Sequence, residues 1–263
     1  MNIGICGICG RMGVATYGIA LERGHRLAAA FDSDKSRFFG RDAGELIHAD
    51  SGIKISSLNP EDVERTDGVI DFSAPPASLA LLELAKKAGK PVVIGTTGFS
   101  KQDVERIREA AGAIPVLFSP NMSLGINLLF RLTEIAASTL GPGYEVEIFE
   151  AHHRFKKDAP SGTANRIVEI VKSASKKLSS AEVVSGRSGM VGERGDSEIG
   201  VMAMRGGDIV GEHTVYFIGM GERIELTHRA TSRDTLARGA VSAMEFISQK
   251  PAGLYSMYDV LGL

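Results

Sequence analysis

The densest concentration of reactive side chains lies between residues 150 and 164, where the sequence reads EAHHRFKKDAPSGTA. This segment holds two adjacent histidines, three cationic side chains and a Ser-Gly-Thr turn. Imidazole titrates close to neutral pH, and a neighbouring ammonium group can supply a proton or bind a carboxylate. The segment therefore predicts a site that holds an anion and transfers protons.

The Ser-Gly-Thr turn is predicted to begin a helix. Downstream of Pro160, apolar residues recur at helical spacing from Ile167 to Ala174. This spacing places Ser161, Gly162 and Thr163 at the helix N-terminus, where unpaired backbone N–H groups bind carboxylates.

Two clusters have metal-ligand chemistry, but neither predicts a metal site. His152 and His153 are adjacent, so on an extended chain they point in opposite directions and cannot easily join Asp158 around one ion. Cys6 and Cys9 form a C-x-x-C without the second ligand pair that zinc requires. A redox pair is the alternative, but these cysteines straddle a glycine turn, and we interpret them as small residues that fill it.

The composition is that of a globular protein with 263 residues, 43% hydrophobic and 24% charged, long enough for two modest domains. The net charge of −2 gives no basic field for nucleic acid or an anionic membrane. No apolar run reaches the roughly 20 residues that span a bilayer. The N-terminus opens as a strand rather than a signal peptide, so we expect a cytoplasmic protein.

The first third of the chain alternates short apolar strands with helices, the pattern of a doubly wound parallel α/β sheet. One of these helices should run to Ala111 from a capping box formed by Ser100 and Asp103. Ligands of such sheets bind beyond the carboxyl ends of the strands. Small or hydroxyl-bearing residues occupy those ends, namely Gly7, Ser73, Gly95 and Ser119.

The pattern changes after Asn121. An amphipathic helix is predicted over about 123–139 and a half-exposed strand over 144–150. Three strand-like stretches separated by glycine turns follow in 198–230, which indicates a second, α+β domain with an antiparallel or mixed sheet. Residues 179–197 are predicted to form a long loop that could close over a ligand.

Five segments follow one another along the chain: the Gly7-x-x-Gly10-Arg11-Met12-Gly13 turn, Gly95 to Gly98, Ser119 to Asn127, residues 150–164, and Gly211 through Arg233. Together, and in this order, they resemble the 4-hydroxy-tetrahydrodipicolinate reductase (dihydrodipicolinate reductase) family. The resemblance implies a Rossmann-type dinucleotide-binding domain of residues 1–122 plus 234–263. Residues 123–233 would form a domain that binds substrate and assembles a homotetramer through its sheet.

The glycine turn departs from the general G-x-G-x-x-G fingerprint, because Cys9 and Met12 occupy its second and third glycine positions. It does match the spacing of the family, so we expect the backbone of Gly10 to Met12 to bind a pyrophosphate. The resemblance places the turns after Gly95 and Ser119 beside the nicotinamide. The predicted cofactor-binding residues are Gly7, Gly10, Arg11, Met12, Asp32, Gly95, Thr96, Thr97, Ser119, Asn121 and Met122.

Asp32 is predicted to influence the choice between NADH and NADPH. A carboxylate at the end of the second strand accepts the ribose hydroxyls of NAD and repels the 2′-phosphate of NADP. Ser33 stands where relatives commonly carry an arginine for that phosphate, although Lys35 and Arg37 are close enough to substitute. We expect both cofactors to be used, with a modest preference for NADH.

The resemblance implies reduction of 4-hydroxy-tetrahydrodipicolinate, through its dehydrated cyclic imine, to tetrahydrodipicolinate in lysine and diaminopimelate biosynthesis. It assigns proton transfer to His152 and Lys156, without deciding between them, and no metal is expected. Arg233 could add positive charge for the dicarboxylate substrate. The predicted substrate-binding residues are Thr97, His153, Ser161, Gly162, Thr163 and Arg233.

Two alternatives remain at this point. Another two-domain NAD(P)-dependent dehydrogenase, acting on an amino acid or an aldehyde, would share the first domain but would not need the His-His-x-x-Lys segment. A non-catalytic dinucleotide sensor would bind NADH without turnover and would have little use for a cluster of proton donors.

Overall fold

The computed structural model describes residues 1–263, which divide into two compact units. Unit 1 comprises Met1–Leu124 with Asp234–Leu263, and unit 2 comprises Gly125–Arg233. The strands are β1 (Asn2–Cys6), β2 (Arg26–Phe31), β3 (Ile55–Ser56), β4 (Gly68–Asp71), β5 (Val92–Ile94), β6 (Pro115–Phe118), β7 (Glu145–His152), β8 (Glu182–Val184), β9 (Glu198–Arg205), β10 (Gly211–Gly219), β11 (Glu222–Ala230) and β12 (Gly253–Tyr255). The α-helices are α1 (Arg11–Glu22), α2 (Pro60–Glu64), α3 (Pro75–Ala88), α4 (Lys101–Ala111), α5 (Leu124–Thr139), α6 (Gly162–Ala174), α7 (Asp234–Ile247) and α8 (Met257–Leu261).

Unit 1 contains a seven-stranded sheet in the order β12-β6-β5-β4-β1-β2-β3. Every neighbouring pair is parallel. The strands read as continuous apolar runs because both of their faces are buried; Val92, Val93 and Ile94 of β5 have no exposed surface. The chain order reverses direction between β1 and β4, which confirms the predicted doubly wound α/β fold.

Helices cover both faces of this sheet. On one face, Tyr17 of α1 and Met244 of α7 belong to the same buried cluster as Ile5 of β1. On the other face, Leu81 of α3 and Ile107 of α4 pack with strand residues in a second cluster. The capping box that was predicted to open α4 is present, with Ser100 and Asp103 bonded reciprocally. Because the helices cover the two faces of the sheet, ligands are expected at its carboxyl edge.

Unit 2 contains a five-stranded sheet in the order β11-β10-β7-β9-β8. Strand β10 is antiparallel to β11 and β7, whereas β7, β9 and β8 are mutually parallel, so the predicted mixed sheet is confirmed. Alternate residues of β7 face a buried layer, among them Val146 and Ile148, and α6 contributes Ile167 and Val171 to the buried residues of this unit.

The predicted loop 179–197 contains one short strand, β8, that was not predicted. Residues 185–197 form no helix or strand, as expected. Two arginines of this loop bind to the sheet. Arg187 donates to Glu147 at 3.0 Å, and Arg194 donates to the same carboxylate at 3.1 Å. An ion-pair network therefore holds this loop against β7.

Several other elements escaped the sequence analysis because they are short. They are β3, α2, β12 and α8, of two to five residues each. None of the helices combines the length and the apolar character that crossing a membrane requires.

Candidate active site

The turn after β1 has no room for side chains. Gly7 has φ of 77°, and a Cβ at this position would lie 2.4 Å from the carbonyl oxygen of Phe72. A Cβ on Gly13 would lie 2.2 Å from the carbonyl oxygen of Gly7, because α1 packs directly on the turn. Gly10 is the N-cap of α1, and no side chain caps this end of the helix. The turn therefore fits a pyrophosphate bound by backbone N–H groups.

Asp32 lies at a cavity of about 390 Å³ beside this turn. Its Oδ2 accepts the backbone N–H of Cys9 at 2.8 Å, and its Oδ1 accepts the N–H of Ser33 at 2.8 Å. Each carboxylate oxygen keeps lone pairs for a further donor, as two ribose hydroxyls would supply. The guanidinium of Arg37 packs 4.6 Å from the centre of the Phe38 ring.

Four of the residues that line this cavity were not predicted. Ser57, Leu58, Ala74 and Ala77 line it together with the expected residues. Ser57 and Leu58 directly follow β3, a strand of two residues, and periodicity cannot be measured over so short a run. Their place at the carboxyl edge beside β2 depends on the pairing of β2 with β3.

A buried aspartate, also missed by the sequence analysis, joins the ends of β4 and β5. Asp71 has no exposed surface and accepts hydrogen bonds from the hydroxyls of Ser73 and Ser78, and from Thr96 Oγ1 at 3.0 Å. Burial raises the pKa of Asp71, although these donors oppose the shift. Since Thr96 is turned inward, the exposed Thr97 is the threonine of this turn whose side chain faces solvent.

The remaining predicted cofactor residues lie at the same edge of the sheet. A Cβ on Gly95 would collide with the ring of Phe72, so the turn after β5 also requires glycine. After β6, Ser119 Oγ donates to the carbonyl of Asn121 at 2.8 Å. The side chain of Met122 is buried in the core. Arg11, the first residue of α1, is exposed.

In unit 2, the centre of the predicted segment is Glu150, which has no exposed surface. Its two oxygens accept from Arg205 Nη1 at 2.8 Å and from Nη2 at 2.7 Å. Glu150 Oε2 also lies 2.5 Å from His152 Nδ1, and Oε1 accepts the backbone N–H of Ser161 at 3.2 Å. Neither Glu150 nor Arg205 was predicted as a site residue. The two lie 55 positions apart and meet because β7 pairs with β9.

His152 packs edge to face on His213, with 5.2 Å between the ring centres. Burial lowers the pKa of His152, and Glu150 only partly opposes that shift. His213 is more deeply buried, and burial with the nearby His152 lowers its pKa to about 3. Burial alone would raise the pKa of Glu150, but hydrogen bonds from Arg205 and His152 lower it overall. Glu150 is therefore ionised near pH 7, whereas His152 and His213 are neutral.

The other predicted residues of this segment are placed as follows. Lys156 Nζ lies 2.9 Å from Asp158 Oδ1, and its side chain is only partly exposed. The His153 ring packs near Phe155, with 6.2 Å between ring centres. Ser161 is the N-cap of α6, as predicted: its Oγ accepts the N–H of Ala164 at 3.2 Å, and it is buried.

Gly162 and Thr163 form the first turn of α6, where a helix favours an anion. Arg233 is exposed between β11 and α7, and Thr97 belongs to unit 1. No group of three or more histidine, cysteine or acidic side chains is arranged to hold a metal ion.

A doubly wound sheet with a glycine turn and a strand-end carboxylate, followed by an α+β unit with a His-Glu-Arg cluster, defines the class of two-domain dinucleotide-dependent oxidoreductases. Within this class, the chain belongs to the dihydrodipicolinate reductase family. The N-terminal domain of that family matches residues 1–122, and its C-terminal domain matches residues 125–261. The family resemblance seen in the sequence is thereby confirmed.

Named relatives cover the whole chain. A 4-hydroxy-tetrahydrodipicolinate reductase of Aquifex aeolicus is 49% identical over 100% of this chain and 99% of its own length. One of Aromatoleum aromaticum is 48% identical over 100% of this chain and 96% of its own length. A dipicolinate-bound dihydrodipicolinate reductase from Paenisporosarcina sp. TG-14 shares the fold, with a TM-score of 0.78, 21% identity, and 98% of both chains covered.

Proposed function

We propose that the protein uses NADH or NADPH to reduce the cyclic imine derived from 4-hydroxy-tetrahydrodipicolinate to tetrahydrodipicolinate, in lysine and diaminopimelate biosynthesis. Water leaves the 4-hydroxy compound first, and a hydride and a proton then add to the conjugated ring. The nicotinamide, when bound, supplies the hydride. The observation that carries the proposal is the proton-transfer cluster around His152, beside the start of α6, in a chain of this family.

Residues of unit 2 bind the substrate and transfer the proton. The start of α6 at Gly162 and Thr163, with nearby cations, binds the two substrate carboxylates. His152 or Lys156 protonates the carbon or nitrogen that becomes electron-rich when hydride arrives. The Asp158 carboxylate holds the Lys156 ammonium at 2.9 Å and so restricts where that proton donor points.

Turnover of the variants His152→Ala and Lys156→Ala tests these roles. Each should lose roughly 10²- to 10⁴-fold in kcat, the contribution of a general acid or base, while the affinity for NADH stays unchanged. Lys157→Ala is the matched control, because Lys157 is exposed in the same segment. The assay follows NAD(P)H oxidation with pyruvate and aspartate semialdehyde condensed in situ by the upstream synthase. Oxidation without that mixture, or NADH binding with no turnover, would favour the dehydrogenase or sensor alternatives.

Binding of a planar substrate mimic tests the carboxylate site. Pyridine-2,6-dicarboxylate presents two carboxylates on a flat ring, so it should raise the melting temperature in the presence of cofactor. The increase should be smaller in Thr163→Val. An equal increase in both proteins would remove the first turn of α6 from the substrate site.

We also propose that both cofactors are used, with a modest preference for NADH. Asp32 favours the ribose hydroxyls, whereas Lys35 is an exposed cation that could meet a 2′-phosphate. An exposed ionic contact contributes only about 0.2–1 kcal/mol. A contact of this size reduces the preference for NADH but does not produce a strong preference for NADPH. Asp32→Ala should therefore shift the ratio of kcat/KM values towards NADPH. A wild-type preference for NADPH above about a hundredfold would contradict this.

Assembly into a homotetramer through the sheet of unit 2 is a further part of the proposal. Phe149, Met202 and Met204 lie on neighbouring strands, on the face opposite the buried layer of β7, and Met204 is 47% exposed. Phe149 and Met202 are half-buried, and an apolar band that remains partly exposed in this way is typical of an interface. Light scattering should give the mass of four chains, and Met204→Lys should lower it. Met220→Lys, in the exposed turn before β11, should not.

We propose a cytoplasmic location on the basis of the cysteines. Cys6 and Cys9 are both unpaired thiols, and a reducing compartment keeps thiols in that state. Detection of the protein in an oxidising compartment by cell fractionation would contradict this.

A further inference from the structure

Glu150 is a fully buried carboxylate on a strand, and it has four hydrogen-bonding contacts. Arg205 supplies two of them, His152 Nδ1 supplies one and the backbone N–H of Ser161 supplies one. A buried charge destabilises a fold unless it is paired and fully bonded. Every donor around Glu150 therefore contributes to keeping it ionised, and an ionised carboxylate can only accept hydrogen bonds.

That restriction determines the state of His152. Its Nδ1 lies 2.5 Å from Glu150 Oε2, so Nδ1 must carry a hydrogen even when the imidazole is neutral. The second nitrogen, Nε2, is then the one that gains and loses a proton. Gly211 leaves space beside it, since a Cβ on that glycine would lie 3.3 Å from His152 Nε2.

The Glu150 carboxylate also holds the loop between His152 and α6. Its contact with the Ser161 N–H fixes the start of α6. Arg205, bound to Glu150, donates in addition to the carbonyl of Asp158 at 2.7 Å, next to the loop that carries Lys156. The Glu150–Arg205 pair thus ties the loop between His152 and α6 at two points.

We propose that Glu150 is a positioning residue, which fixes the Nδ1–H tautomer of His152 so that Nε2 exchanges the proton with substrate, and which also holds the start of α6 through the N–H of Ser161. The catalytic consequence rests on the function proposed above. The tautomer and the proton affinity of His152 do not, and they can be measured without substrate.

The charges around His152 determine whether its pKa rises or falls when the Glu150 carboxylate is removed. Burial, Lys156 and Arg205 lower the pKa of His152, and Glu150 opposes them. His213, which packs against the ring, is neutral near pH 7. When the carboxylate is removed, the cations act unopposed and the imidazole holds its proton less tightly.

The test compares Glu150→Gln with Glu147→Gln. Glu147 lies on the same strand and is also bonded to two arginines, Arg187 and Arg194, but it makes no contact with a histidine. Nuclear magnetic resonance of ¹⁵N-labelled histidine, assigned with His152→Gln, reports the tautomer and the pKa of His152. Neutral His152 in the wild type should carry its proton on Nδ1. Its pKa should fall by about one unit or more, a tenfold loss of proton affinity, in Glu150→Gln and should stay constant in Glu147→Gln.

Kinetics give a second readout. Above the pKa of His152, Glu150→Gln should lose about tenfold or more in kcat, because the protonated fraction falls tenfold for each unit of pKa, and KM for NADH should not change. A wild-type neutral tautomer with its proton on Nε2, or a pKa that does not fall in Glu150→Gln, would overturn the proposal. If that variant fails to fold, the wild-type tautomer alone decides. Absence of turnover in the wild type would refute the proposed function and would leave the resonance result valid.

Discussion

Acidification should destabilise the protein through His213. This histidine is 3% exposed, its Nδ1 has no hydrogen-bond partner, and its Nε2 lies 3.2 Å from Ser161 Oγ. Burial is the main reason that its pKa falls to about 3, compared with 6.5 for a free histidine. Between these two values the unfolded chain binds a proton that the folded chain does not. The free energy of unfolding must therefore decrease as the pH falls below 6.5.

The size of the effect follows from the width of that interval. Each pH unit within it changes the free energy of unfolding by about 1.4 kcal/mol. Lowering the pH from 7.5 to 4.5 crosses about two units below the unfolded pKa, so His213 should account for a loss of about 3 kcal/mol. The contribution is fully present above pH 6.5 and is lost progressively towards pH 3.

His213→Gln isolates this contribution, because glutamine keeps an amide donor for Ser161 but does not titrate. Urea unfolding, followed by far-ultraviolet circular dichroism because the chain has no tryptophan, gives the free energy of unfolding of each protein at pH 7.5 and at pH 4.5. The wild type should lose about 3 kcal/mol more than the variant on acidification. Carboxylates such as Glu150 titrate in both proteins and cancel in the comparison. A difference below about 1 kcal/mol would show that His213 is not held neutral by burial.

Two further predictions concern glycines. In Gly211→Ala the new methyl group would lie 3.3 Å from His152 Nε2. The kcat should therefore fall by roughly 10²-fold or more, while the affinity for NADH stays unchanged. If the variant turned over as fast as the wild type, the space beside Nε2 would not be used in the reaction. In Gly13→Ala the methyl group would lie 2.2 Å from the Gly7 carbonyl oxygen, and we expect a loss of stability of about 1–3 kcal/mol together with weaker NADH binding by calorimetry. Gly18 lies in the same helix, but a Cβ added there would meet no neighbouring atom within 4 Å. Gly18→Ala should instead stabilise the fold by about 0.4–1 kcal/mol. Equal effects of the two changes on stability would contradict the close packing of the turn.

Much of the fold was predictable because the necessary information is local. Helix α5 was predicted at 123–139 and lies at Leu124–Thr139, since its apolar period repeats over several turns. Ser161 caps α6 as expected, because the signal consists of one side chain and the turn that follows it. Elements of two or three residues, such as β3 and β8, carry no period, and they exist only because a neighbouring strand pairs with them.

The sequence by itself determined the glycine turn, the strand-end carboxylate and the His-His-x-x-Lys segment, because each is encoded by residue types at short spacing. Only the tertiary structure decided which partners these groups have. Glu150 acquires Arg205 through the pairing of β7 with β9, and His152 acquires His213 through the pairing of β7 with β10. A buried charge requires a partner, but the sequence does not say which distant side chain supplies it, since that depends on strand order and register.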